Sequence, residues 1–350
     1  MSLVLPVLQW PEMDRAMWTA LFQEGSPLDE QGPLAHYRAT SRATLMSRYR
    51  RWLKWLADHE PWTLSLEPAE RASVERLRRW LKDLDHTAPI TRWSFVEGVM
   101  RVLCSAEPDR SWEDQHRLVK ALKSAADRHR SRRKEGRVLS SAVLLETGRR
   151  LAMEVGANNR RWLDGATGIR DGAMISLLAL MPIRLRALSS LRLDESVFIT
   201  SDRITIALPA DLTKSGVPWE ADVPEQVLPI LRKYVDEARP LLQSRTEERD
   251  PHLWLARHGR GLKIGSFLPQ IVKHTERMTG VRVSPHLFRD AAATTLARAS
   301  PAASRLIGPV LAHKTSGTAE KHYIHALTID AGRDYAALVA SRKARHPGGR

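Results

Sequence analysis

Cysteine is nearly absent. Cys104, the single cysteine in 350 residues, can form no internal disulfide and has no second thiol with which to complete a structural zinc site. Long apolar runs are missing too. The longest, Met174 to Ile183, is broken by Ser176 and Pro182 and bounded by Asp171 and Arg184, far short of a bilayer span. The first residues, MSLVLPVLQWPEMDR, carry no basic stretch ahead of their apolar ones, which argues against a secretory signal. Carboxylates are under-supplied: 40 Asp and Glu face 55 Lys and Arg, a formal charge of +15. No group of them has metal-ligand spacing, so no metal and no cofactor is expected. A surplus of positive charge this large is not needed for chemistry on small neutral molecules and fits a polyanionic partner. No strongly amphipathic basic terminal helix points to a membrane surface, so nucleic acid is the better partner. A cytoplasmic protein that meets no membrane is expected.

What is present is helical periodicity. Leu45, Tyr49, Trp52, Leu53 and Leu56 recur at three and four, as do Val74, Leu77, Trp80, Leu81 and Leu84, and further helices are expected near 90–105 and 112–127. For the last of these Ser111 is the expected N-cap, with Glu113 in the first turn. About 37 residues precede the first clear helix, which leaves no obvious extra N-terminal domain. Phe and Tyr are scarce at five each, yet eight of the eleven tryptophans fall at or before Trp112, a pattern of core packing between short helices. Residues 1–127 are thus expected to form a helical bundle.

Residues 128–137 then carry seven basic side chains against one carboxylate. A run this dense repels itself without a counter-charge, so Arg128, Arg130, Arg132, Arg133, Lys134 and Arg137 are expected on a phosphate backbone in an interdomain linker. Beyond it, helices are expected over 143–152 and 162–180. Val197 to Thr200, Arg203 to Leu208 and Val217 to Val223 follow as three short antiparallel strands, turning at Ser201-Asp202 and Lys214-Ser215-Gly216. Helical pattern returns at 225–240, 266–279, 285–299, 302–312 and 328–343. The fold class is mainly α: a helical bundle followed by an α+β domain, residues 138–345, with one small three-stranded antiparallel sheet. Residues 346–350 are expected to form a mobile tail.

Six residues can act together on a phosphodiester. Ser284-Pro285-His286-Leu287-Phe288-Arg289 has the form of a helix start, Ser284 as N-cap and Pro285 at the first position. His286 and Arg289 then share a face one turn from free amides that favour an anion. Arg184 follows the apolar helix; a helix-end cation or an ordinary ion pair is its plainer explanation. Lys214 sits in the sheet turn, and His313 and Tyr323 lie in Leu311 to His325. Separately each is ordinary. In the order Arg184, Lys214, His286, Arg289, His313, Tyr323 they supply a nucleophile, cations for the non-bridging oxygens and acids for the leaving alkoxide, without a metal.

Met181-Pro182-Ile183-Arg184, Thr213-Lys214-Ser215-Gly216, Pro285-His286-Leu287-Phe288-Arg289 and Leu311-Ala312-His313 through Tyr323 together resemble the motifs of the tyrosine recombinases, or phage integrases. The resemblance covers roughly 140–340, and residues 1–127 are similar in helix pattern to the family's N-terminal SAM-like core-binding domain. It implies attack by Tyr323 to give a 3′-phosphotyrosyl link, with Lys214 as acid, Arg184 and Arg289 as clamps, and His286 and His313 on the phosphate. It also implies double-stranded DNA sites as partners and a tetramer across two of them, with 328–343 docking on a neighbouring protomer. The family usually has an acidic residue three positions after the first arginine; here it is Ala187. Two alternatives remain on the sequence: a catalytically impaired DNA-binding protein of the same fold, and a type IB topoisomerase-like enzyme.

Overall fold

The computed structural model describes residues 2–25, 30–129, 136–155, 162–213, 216–300, 303 and 305. The chain divides into two compact units, Met1–Ser131 and Arg132–Arg350. No helix among the described residues is long and apolar enough to cross a membrane.

In the first unit, helices α1 (Glu12–Leu21), α2 (Ala39–His59), α3 (Val74–Asp83), α4 (Pro89–Ala106) and α5 (Glu113–Arg128) surround an aromatic core. Trp52, which is fully buried, stacks on Trp55 at 5.6 Å and meets Trp80 at 5.1 Å. Trp10 meets Tyr49 edge-on at 5.5 Å. The tryptophans are therefore core, Trp62 being the one well exposed among the eight. Ser73 caps α3 by accepting from the Arg76 amide, and Pro89 opens α4 at the first turn, where its missing N–H has no helical partner to lose.

Two expectations fail here. Helix α5 starts from Trp112, with no side-chain cap from Ser111. The buried Trp112 indole donates to the Glu107 carbonyl at 3.0 Å, and that anchor sets the start, while Glu113 and Asp114 meet the positive end of the helix dipole. The segment before residue 38 also holds a helix, α1. Its inward face includes the fully buried Asp14, which accepts from the Tyr49 hydroxyl and from Arg71 Nη1, both at 2.6 Å. Arg71 gives Nε and Nη2 to the Leu64 and Leu66 carbonyls. Burial, and next the Asp14 charge, raise the Tyr49 hydroxyl well above its ordinary pKa. Arg71→Ala should strand the Asp14 carboxylate and cost about 3–5 kcal/mol, read by urea unfolding. A loss under about 1 kcal/mol, the level of an exposed pair, would mean that the carboxylate is not isolated from water.

In the second unit, α6 (Ser141–Arg150) begins at Ser140, which accepts from the Val143 amide at 3.3 Å, and runs into a π-turn over Leu151–Val155. Helix α7 (Trp162–Leu180) is the apolar centre, with Ala173 to Ala179 all buried. Its backbone approaches α6 so closely that a Cβ on Gly172 would lie 2.6 Å from the Ala152 nitrogen, and one on Gly148 2.3 Å from Ser176 Oγ. After α8 (Leu185–Ser189) come β1 (Val197–Ile199), β2 (Ile204–Leu208) and β3 (Trp219–Asp222) in the order β1-β2-β3, antiparallel throughout, with Val197 opposite Ile206 and Leu208 opposite Trp219. Ile204, Ile206 and Leu208 alternate inward, as a one-sided sheet demands.

The expected helix over 225–240 is found displaced and divided: α9 (Leu228–Arg232), a π-turn over Lys233–Ala238, and α10 (Arg239–Gln243). Pro240 has no N–H to give to the carbonyl four residues back, and the helix widens just before it. Helix α11 (Ile264–Thr279) ends at Gly280, whose φ of 73° is the left-handed conformation that closes a helix. Helix α12 (Pro285–Ala299) matches the expected span. The chain is mainly helical with one three-stranded antiparallel sheet. The expected helices at 302–312 and 328–343 and the tail at 346–350 lie outside the described residues, apart from single positions at 303 and 305.

Candidate active site

Helix α7 stops because Pro182 cannot continue it, and the chain turns through Ile183 into an extended Arg184, φ −69° and ψ 148°, at the N-cap of α8. The Leu188 amide bonds back to the Arg184 carbonyl at 2.9 Å. A cation at a helix N-terminus is opposed by the dipole, so a dipole-compensating role for Arg184 falls away. No carboxylate among the described residues pairs with it, whereas the nearby Arg192 is spent on Glu195 at 3.1 Å. Burial lowers the Arg184 pKa.

Arg289 reaches the same corner from α12. It is buried, and its Nη1 donates to the Pro182 carbonyl at 2.6 Å, two residues before Arg184 in the chain. Burial pushes its pKa down to about 10, with Arg184 pushing the same way and Asp290 pulling back. Two desolvated guanidiniums held in one field form a site that an incoming phosphate relieves. His286 stands exposed one turn earlier on α12, so the helix carries both members of the pair to one end. Pro285 occupies the first turn as expected. Ser284 has cap geometry but makes no side-chain cap bond, so the cap expected of its hydroxyl is not formed.

Arg289 has to be charged to hold an anion. Phosphate retention should therefore stay flat through neutral pH and fall as pH rises through about 10, measured at constant ionic strength. The stability sign is opposite: the unfolded chain keeps this proton to the ordinary arginine value, so between about 10 and that value stability rises with pH.

Lys214, His313 and Tyr323 lie outside the described residues. The residues on either side of Lys214 and Ser215 are held: Thr213 Oγ1 donates to the Ala210 carbonyl at 3.0 Å and the Val217 carbonyl at 2.8 Å, and Gly216 takes φ 70°. Of the basic run, Arg130, Arg132, Arg133 and Lys134 are likewise outside. Arg128 ends α5 and donates to Ser124 Oγ at 2.7 Å, and Arg137 donates to the Arg282 carbonyl at 3.2 and 2.7 Å. Sequence reasoning passed over the Pro182 carbonyl and Asp290. The carbonyl leaves no trace in residue types, but a carboxylate beside His-x-x-Arg was a visible signal. Among the described residues no cluster of His, Cys, Asp and Glu could hold a metal ion.

Residues 156–328 match the phage integrase family. A tyrosine recombinase XerD of Listeria monocytogenes is 28% identical over 131 residues, which is 37% of this chain and 41% of that relative. Among solved structures, a XerH site-specific recombinase bound to difH substrate in a pre-cleavage complex superposes with TM-score 0.56 at 14% identity, covering 95% of this chain and 99% of that one. A lambda integrase dimer bound to a COC′ core site gives TM-score 0.52 at 14% identity over 83% of this chain and 91% of the other. At that identity these structures speak for the fold.

Proposed function

The chain is a member of the tyrosine recombinase family, and from that premise we propose that it is a site-specific DNA recombinase working through a 3′-phosphotyrosyl intermediate. The observation that carries this reading is the convergence of Arg184 and Arg289 on one corner, tied by the Pro182 carbonyl, with His286 on the same helix end. Pure DNA binding needs no such desolvated pair, because exposed cations hold a backbone phosphate at lower cost.

In the proposed reaction the Tyr323 oxygen forms a bond to phosphorus while the bond to the 5′ oxygen breaks. Lys214 gives that leaving oxygen its proton, and the proton of the tyrosine hydroxyl passes to solvent by way of His286 or His313. Arg184 and Arg289 neutralise the two non-bridging oxygens, where charge builds in the transition state. Asp290 keeps Arg289 charged against its own burial and its neighbour. Attack by a free 5′ hydroxyl on the tyrosyl link reverses every step, so exchange between strands needs no ATP.

We assign residues 1–127 as the core-binding domain, 128–137 as the linker and 138–345 as the catalytic domain, with four protomers on two duplex sites in the cytoplasm. Incubation with a nicked duplex, from which the strand next to the cleavage point is lost, should trap a covalent protein–DNA adduct in the presence of chelator. No adduct would leave a DNA-binding protein. An adduct with plasmid relaxation but no exchange between paired sites would make it a topoisomerase. In the linker, replacing Arg130, Arg132, Arg133 and Lys134 by Ser should flatten the log–log salt dependence of duplex binding by up to about 3–4 units. An unchanged slope would make the run a solvated hinge.

A further inference from the structure

A cavity of about 700 Å³ opens in the second unit between α7, α11 and the segment 256–262, and none of Arg184, His286 or Arg289 lines it. Its wall is a chain of buried charge. Arg170, 2% exposed, donates Nε to Asp171 Oδ1 at 2.8 Å, Nη1 to the Leu255 carbonyl at 2.7 Å and Nη2 to Gln270. Asp171 Oδ2 in turn holds His274 Nε2 at 3.0 Å. The chain of bonds stops there. His274 is 9% exposed and lines the cavity, and its second ring nitrogen, Nδ1, is shielded from solvent with no hydrogen-bond partner among the described residues. A buried polar atom left unpaired costs free energy, so it marks a place where a bond is still to be made.

The rim supplies charge. Arg170 is offset by Asp171, and Arg257 by its ion pair with Asp164. Lys273 and Arg277 lie four apart on one face of α11, on either side of His274 in the sequence, and all three line the cavity. No carboxylate among the described residues pairs with either of them. Two cations with no carboxylate partner among the described residues match a phosphate group in charge. With Nε2–H given to Asp171, the other ring nitrogen accepts from a phosphate hydroxyl when the ring is neutral and donates to a phosphate oxygen when it is charged.

We propose that this cavity binds a phosphate-bearing small molecule of mononucleotide size, at a site separate from the phosphodiester centre and independent of its chemistry. The volume falls within the roughly 300–1,000 Å³ of small-ligand pockets. A duplex presents its phosphates on a convex surface and cannot carry one to a histidine inside a concave wall.

The test uses the full chain with AMP and adenosine as probes. AMP should bind saturably by calorimetry, adenosine should not, and AMP should move the Nδ1 resonance of His274 in nitrogen-15-labelled protein. Lys273→Glu with Arg277→Glu, two exposed positions whose exchange leaves the core intact, weakens AMP at least about tenfold while duplex binding keeps its salt dependence. Absent AMP binding, equal binding of adenosine, an unmoved His274 signal or an unchanged affinity in the double variant overturns the proposal. A flattened duplex salt slope in that variant does so too, because the pair would then belong to the DNA track.

Discussion

On a nicked duplex, Tyr323→Phe should bind as the parent does and yield no covalent adduct, a fall of about 10⁴–10⁶-fold in cleavage of the kind seen when a nucleophile is deleted. The hydroxyl contributes little to affinity, since duplex binding comes from cations on phosphates, but it is the atom that bonds to phosphorus. Tyr335 is the control: it lies in an alanine-rich helical pattern beside Ala336 and Ala337 rather than ten residues past His313, and Tyr335→Phe should cleave normally. Gel separation of denatured protein–DNA complexes reads both. An adduct from the Tyr323 variant would remove that residue from the reaction and leave Tyr335 as the candidate.

Lys214→Ala should slow cleavage by about 10²–10⁴-fold, the usual worth of a positioned general acid, with duplex affinity nearly unchanged. The test that separates acid from clamp is chemical. A substrate with sulfur in place of the 5′ bridging oxygen leaves as a thiolate and needs no proton, so it should restore most of the lost rate to the variant. If the sulfur substrate stays slow, Lys214 holds a non-bridging oxygen instead. The flanking residues, with Thr213 bonded across to Val217 and Gly216 in a left-handed conformation, predict that Gly216→Ala also slows cleavage, because a side chain is strained at that φ.

Much of this was legible because the relevant signals are local. Pro285 followed by His286 and Arg289 declares a helix start with two functional groups on one face. The alternation of Ile204, Ile206 and Leu208 declares a one-sided strand. What was not legible depends on partners distant in sequence. Asp14 reads as a solvated helix carboxylate until Tyr49 and Arg71 are brought to it. His274 reads as a surface histidine until Asp171, 103 residues earlier, takes its Nε2. Ser111 reads as a cap by residue type, but a tryptophan anchor takes that place, whereas Ser284 does sit at the N-cap position of α12 without making the side-chain bond. Pro240 was a readable warning: a proline inside an expected helix should have been counted against its regularity.

The latch between α1 and Arg71 also sets a timetable for synthesis. Asp14 leaves the ribosome 57 residues ahead of the guanidinium that neutralises it. At the roughly 5–20 residues per second of translation, about 3–11 s pass before the two can meet. Through that interval α1 has no completed core to dock against, and an isolated helix of 10 residues is too short to persist in water. The earliest-made helix of the first unit is therefore held in place only after the chain carrying Tyr49 and Arg71 has followed it out. A chaperone that grips newly made apolar segments has access to Trp10 and Trp18 through that interval, and slowing translation between the emergence of Asp14 and that of Arg71 lengthens the exposure in proportion.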